Sequence, residues 1–129
     1  MDASESSEAS HNDRKFRVSV NEDPEKYFFL RTERKVLTGC LGPIIMHKLN
    51  EITVSRPADI ISSFRNYSID ISSGTIYPAF NSLEVNGNII RLPNKTNRLY
   101  ILTPKGKHAI DYFKSNLPVI LEILDKLLK

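Results

Sequence analysis

The hydrophobic period of this chain changes at Asn86-Gly87, and that change limits the folds open to it. Before the pair, Ile76, Phe80 and Leu83 stand at i, i+4 and i+7, the spacing of a helix face turned to a core. Asn86 and Gly87 both accept the left-handed backbone of a helix C-terminal cap, so the helix is expected to stop there. Immediately after come two short β-rich runs, NIIRL and RLYIL, separated by the polar stretch PNKTN. Proline, asparagine and a short polar tip predict a hairpin with a basic loop.

The segments on either side are helical. Asp23-Pro24 reads as an N-cap followed by the first helical position, where a missing N–H is harmless, and a helix over residues 24–37 follows. Gly39 and Gly42-Pro43 interrupt it. The next stretch, PIIMHKLNEI, sets Ile45, Leu49 and Ile52 on one stripe. Ser55 is the plausible N-cap of RPADIISSFRNY, whose buried side would be Ile60, Ile61 and Phe64. From Pro104 a long helix runs to the C-terminus. Its apolar residues Ile110, Phe113, Leu117, Ile120, Leu124 and Leu127 alternate steps of three and four, a heptad seam suited to self-association. Pro118 beside the seam is expected to kink that helix.

A chain of 129 residues suits one domain, and no apolar run reaches the ~18 residues of a membrane span. Residues 1–14 hold four serines, four acids and almost no large apolar group, so they are expected to be disordered and dispensable for folding. Their acidic start is the opposite of a secretory signal. Residues 15–20 alternate polar and apolar, as a short strand or arm would. The lone Cys40 permits no internal disulfide, in keeping with a cytoplasmic protein, and reads as a packed small hydrophobe. The charge is unevenly spread. Residues 1–25 carry seven acids and three bases, while residues 26–129 carry fifteen bases and eight acids. A basic domain behind an acidic tail suits a polyanionic partner, although such charge also serves solubility.

Helix, helix, helix, hairpin, helix is the order of a winged helix-turn-helix: mostly α, with a two-stranded wing and a long C-terminal helix. At the residue level, GTIYPAFNSLEVNGNIIRL followed by NRLYILTPKGKHAI resembles the PadR-like regulators. Small residues Ser72, Ser73, Gly74 and Thr75 lead into the helix, then Tyr77-Pro78, Leu83-Glu84, Gly87, Tyr100, Leu102-Thr103 and Gly106. The clear likeness covers about residues 72–110 and a looser one reaches back to about residue 43. It implies a recognition helix in the DNA major groove, a wing on the backbone or minor groove, and a dimer made by the C-terminal helix. A small-molecule effector at the dimer interface is also implied, with no residue that identifies it. Two departures stand out: Asn81-Ser82 replace the basic pair many relatives carry, and Arg56-Pro57-Ala58 replace a usual Gly-Tyr.

The candidate DNA-binding residues are Ser72, Ser73, Thr75, Tyr77, Asn81, Arg91, Lys95 and Arg98. Hydroxyls at a helix N-terminus can join free N–H groups in binding phosphate, or simply cap the helix. Tyr77 is out of phase with the buried stripe, so its phenol can reach phosphate or pack on its own domain. An amide at Asn81 can pair bidentately with adenine. The wing bases suit phosphate, which carries no sequence information. The corresponding division is an acidic tail at 1–14, a winged-helix domain at 15–104 and a dimerisation helix at 105–129.

No catalytic constellation accompanies these features. There is no nucleophile elbow, phosphate loop or dinucleotide fingerprint, and His11, His47 and His108 are too scattered for metal ligation. The expected function is therefore a dimeric, sequence-specific regulator of transcription, read as a repressor, without cofactor or membrane attachment. The alternative is a winged-helix module that binds protein within a larger assembly.

Overall fold

Asp23 opens the first helix as its residue type predicts. In the computed structural model, which describes residues 23–52, 55–93 and 98–129, its carboxylate accepts the Lys26 N–H at 3.1 Å. Helix α1 spans Pro24–Gly39, slightly longer than expected, and α2 follows as Leu41–Glu51. Gly42-Pro43 therefore lie inside the first turn of α2 rather than ahead of it, where proline costs no intrahelical bond. The remaining elements are α3 (Pro57–Arg65), α4 (Ser73–Val85), β1 (Ile89–Arg91), β2 (Tyr100–Leu102) and α5 (Pro104–Leu127). The tail at 1–14 and the arm at 15–20 lie outside the described residues.

The described residues fall into two compact units, one drawn from residues 23–41 and Arg56–Ala79, the other from the described parts of Gly42–Ser55 and Phe80–Lys129. In the first, Leu41, Pro57, Ile60, Phe64, Ile69, Ile71 and Ile76 are buried, and Ile61 is half-buried. Helix α3 is not capped by Ser55. The Asp59 carboxylate instead accepts the Arg56 N–H at 3.0 Å, so Arg56 is the cap residue and Pro57 the first helical position. Ser68 takes a left-handed φ of 63° in the turn that follows, and the Ile69 N–H reaches the Phe64 carbonyl at 3.1 Å. That sharp exit brings Ile69 and Ile71 back to the buried side before α4 begins.

In the second unit the buried side chains are Ile45, Met46, Leu49, Phe80, Leu83, Ile89, Tyr100 and Ile110. Ile52, expected on the same stripe as Ile45 and Leu49, lies past the end of α2 and is exposed. The wing pairs Ile89 with Leu102, Ile90 with Ile101 and Arg91 with Tyr100, antiparallel. Ile89 and Tyr100 turn inward and Ile90 outward, the alternation that a strand with one covered face requires. Ser55 has a different role from the one its residue type suggested. It bridges to Tyr100, donating its N–H at 3.2 Å and accepting the Tyr100 N–H at 3.0 Å, so a single residue adds a third short rung to the sheet.

Helix α5 is joined to the end of α4 by a small polar knot. Thr103 caps α5 by accepting the Gly106 N–H at 3.0 Å, and its hydroxyl donates to the Gly87 carbonyl at 2.7 Å. The Thr103 N–H reaches the Asn88 carbonyl at 3.1 Å. Gly87, at φ 80°, makes the turn that presents those carbonyls. Gly106 is required by closeness: a Cβ there would run into the Asn88 carbonyl oxygen and the Leu102 side chain. The helix continues through Pro118 as one element.

Candidate nucleic-acid interface

Helix α4 divides its residues by face. Ile76, Phe80 and Leu83 are buried, while Ser73, Thr75, Tyr77 and Asn81 are exposed. The buried Phe80 ring meets Tyr100 of β2 at a centroid distance of 4.8 Å and a tilt of 46°, tying the end of α4 to the wing. Aromatic pairs in such tilted geometry favour one ring orientation over others, which stiffens the joint. At the other end, the Ser72 carbonyl accepts from Thr75 and Ile76, both at 3.0 Å, making Ser72 the residue that opens the helix. The hydroxyls of Ser72 and Thr75 lie 3.2 Å apart and bond to each other. Both side chains lie on the exposed face. Asn81 follows Tyr77 by one helical turn.

The wing residues divide similarly. Arg91 and Arg98 are both exposed, Arg91 at the end of β1 and Arg98 two residues before β2. Lys95 lies outside the described residues. Lys107 at the start of α5 pairs with Asp111 at 3.1 Å, and Lys114 approaches His47 Nδ1 at 3.4 Å.

Of the six seam residues, Ile110 is only 2% exposed and packs within its own unit. Phe113 is half-buried, and the exposed part begins at Leu117 and continues through Ile120, Leu124 and Leu127. The exposed apolar surface is also wider than the seam, since Val119, Leu121, Ile123 and Leu128 share it.

One cluster has no signature in the spacing of its residues. In the turn ahead of α4, Arg34 Nη2 donates to the Asp70 carbonyl at 2.6 Å, and Arg65 Nε lies 3.8 Å from Asp70 Oδ1. Two guanidinium groups from α1 and α3 thus converge on one residue just before Ser72. Their separation along the chain hides the pattern, because no local spacing rule links them.

Among the described residues, no group of three or more side chains is placed to hold a metal ion, and no helix is long and apolar enough to cross a membrane.

No protein-family model matches the sequence, and no curated protein matches it either. Solved structures do. A transcriptional regulator from Clostridium thermocellum is 27% identical, with a TM-score of 0.63 over 74% of this chain and 96% of that one. A PadR family transcriptional regulator from Eggerthella lenta superposes with a TM-score of 0.67 at 20% identity, covering 86% of this chain and 98% of its own. A PadR family regulator from Clostridium difficile gives 0.59 at 21% identity, over 70% and 99% of the two chains. Four helices ahead of a two-stranded wing, with the Thr103–Gly106 knot leading into a long last helix, make this chain a PadR-like winged helix-turn-helix protein in fold.

Proposed function

We propose that the chain is a DNA-binding regulator of transcription that acts as a homodimer, as a repressor, in the cytoplasm. The observation that carries this reading is the two-faced α4, apolar where it is buried and polar where it is exposed, on a fold shared with known regulators. Hydroxyls of Ser72, Ser73 and Thr75 and the phenol of Tyr77 suit phosphate oxygens, whereas the Asn81 amide suits an adenine edge. Arg91, Lys95 and Arg98 supply the wing with cations for the backbone. Residues 15–104 form the DNA-binding part and residues 105–129 the dimerisation part. Two observations support the dimer: no residue of α1 is buried although Phe28 and Phe29 are large and apolar, and the second half of α5 is apolar on several sides. A helix of that kind ordinarily has a partner.

The test is titration of the dimer against operator and random duplexes at two salt concentrations. Lys95→Ala, Arg98→Ala and Tyr77→Phe are expected to weaken binding equally on both duplexes. Each lost cation lowers the salt slope by about 0.9, because one fewer counterion is released. Asn81→Ala is expected to cost about 1–3 kcal/mol on the operator and little on random DNA. If Asn81→Ala behaves as the parent on both while only Lys95→Ala loses discrimination, α4 is not the reader. Absence of duplex binding at low salt favours a protein-binding module instead.

A further inference from the structure

Helix α4 has a charge deficit for a DNA-facing element. Its thirteen residues, SGTIYPAFNSLEV, contain no lysine or arginine and one acid, Glu84. A recognition helix without cations gains nothing from counterion release, so the neutralising charge must come from beside it. The wing provides some. The turn ahead of α4 has its own pair.

We infer that Arg34 and Arg65, gathered by Asp70, form a second phosphate-binding site at the start of α4. This inference rests on the DNA-binding reading above and deepens it. Arg34 comes from the middle of α1 and directs Nη2 at the Asp70 carbonyl, 2.6 Å away. That bond engages one of the five N–H donors of a guanidinium, and the planar fork is suited to binding a second oxygen. Arg65, the last residue of α3, holds Nε 3.8 Å from Asp70 Oδ1, with a side chain 66% exposed. At that exposure the ion pair adds little stability, so fold maintenance is a weak reason for it. What the pair does accomplish is position. It sets two permanent cations at the turn that ends in Ser72, next to the N-terminal end of α4, where the helix dipole adds to the positive potential. A phosphate of duplex DNA is the chemistry that fits. Contacts of this kind fix register and carry no sequence information, which complements a cation-free reading helix.

Asp70 is then a positioning residue. Its backbone carbonyl orients Arg34, and its carboxylate restrains Arg65 until a phosphate competes for it.

The experiment compares salt slopes of duplex binding for the full chain and four variants. Arg65→Gln and Arg34→Gln are each expected to lower the slope by about 0.9, equally on operator and random duplex. Arg34→Lys is expected to keep the parental slope, since the charge remains. The decisive variant is Arg65→Gln combined with Asp70→Asn. If Arg65 merely neutralises Asp70, the double variant regains the parental slope; if Arg65 meets phosphate, the loss persists. Arg65 is exposed and lies at the helix end, so its variants carry the test should Arg34→Gln unfold. Parental slopes in both glutamine variants, or rescue by the double variant, overturn the phosphate site alone. A parent chain that fails to bind duplex at low salt overturns the DNA-binding reading as well.

Discussion

The two halves of α5 share one helix and one hydrophobic period, yet their surroundings differ. In the first half, Thr103 caps the helix, Gly106 lies against Asn88 and Leu102, and Ile110 is 2% exposed. In the second, Leu117 is 37% exposed, Leu124 49% and Leu127 76%. The polar residues there pair locally, Lys126 with Glu122 along the helix at 3.3 Å and Lys129, just past its end, with Asp125 at 3.1 Å. Such exposed i,i+4 pairs support a helix by only a few tenths of a kcal/mol. The contrast teaches that a regular 3-4 repeat specifies a face, and that the neighbours present decide what covers it. The first half completes its own unit. The second half leaves apolar surface that a second copy is proposed to cover.

The largest expected effect breaks the comparison at its exposed end. Leu117→Glu with Leu124→Glu is expected to abolish self-association, read by sedimentation, while the circular dichroism of the folded monomer persists. A folded variant that remains dimeric places the dimer contact elsewhere. Next, Ile110→Ala is expected to cost about 2–5 kcal/mol in denaturant unfolding, because it leaves a cavity in the unit's own core. Loss of dimer with unchanged monomer stability is the opposite outcome and returns Ile110 to the partner surface. A smaller cost, about 1–3 kcal/mol, is expected for Gly106→Ala, even though alanine favours helix by about 1 kcal/mol. The carbonyl of Asn88 is backbone and cannot step aside cheaply. A more stable variant at this position means the start of α5 does not sit tightly on the turn after Gly87.

The smallest effect carries the most informative sign. Tyr100 is fully buried and its hydroxyl has no hydrogen-bond partner among the described residues, so the ring contributes packing while the oxygen is a liability. Removing an unsatisfied buried hydroxyl relieves a desolvation cost of about 1–3 kcal/mol at most. Tyr100→Phe is therefore expected to leave the melting temperature unchanged or raise it. A fall of several degrees means that the hydroxyl is bonded in solution.

Much of the fold was legible because its signals are local. Asp23-Pro24 caps α1, Ile76, Phe80 and Leu83 bury one face of α4, and Gly87 takes the positive φ that ends it. Each depends on residues within a turn or two of one another. The exposed face of α4 was readable for the same reason, since burying one stripe leaves Tyr77 and Asn81 on the other side. Ser55 marks the limit. Serine before Arg-Pro is a good cap by residue type, but pairing with Tyr100 gives its backbone a better use, and that partner is remote in sequence.

What the sequence by itself determined is the set of elements: where helices start and stop, where the period changes to that of a hairpin, and which residues form apolar faces. These follow from backbone chemistry and spacing along a short stretch of chain. Only the tertiary structure decided that Ile110 packs at home, that Ser55 extends the sheet, that Gly106 needs to lack a Cβ, and that Arg34 and Arg65 meet at Asp70. The physical reason is common to all four. Each depends on which distant residue comes close in space, and hydrophobic spacing along one segment records that a face will be covered without recording by what.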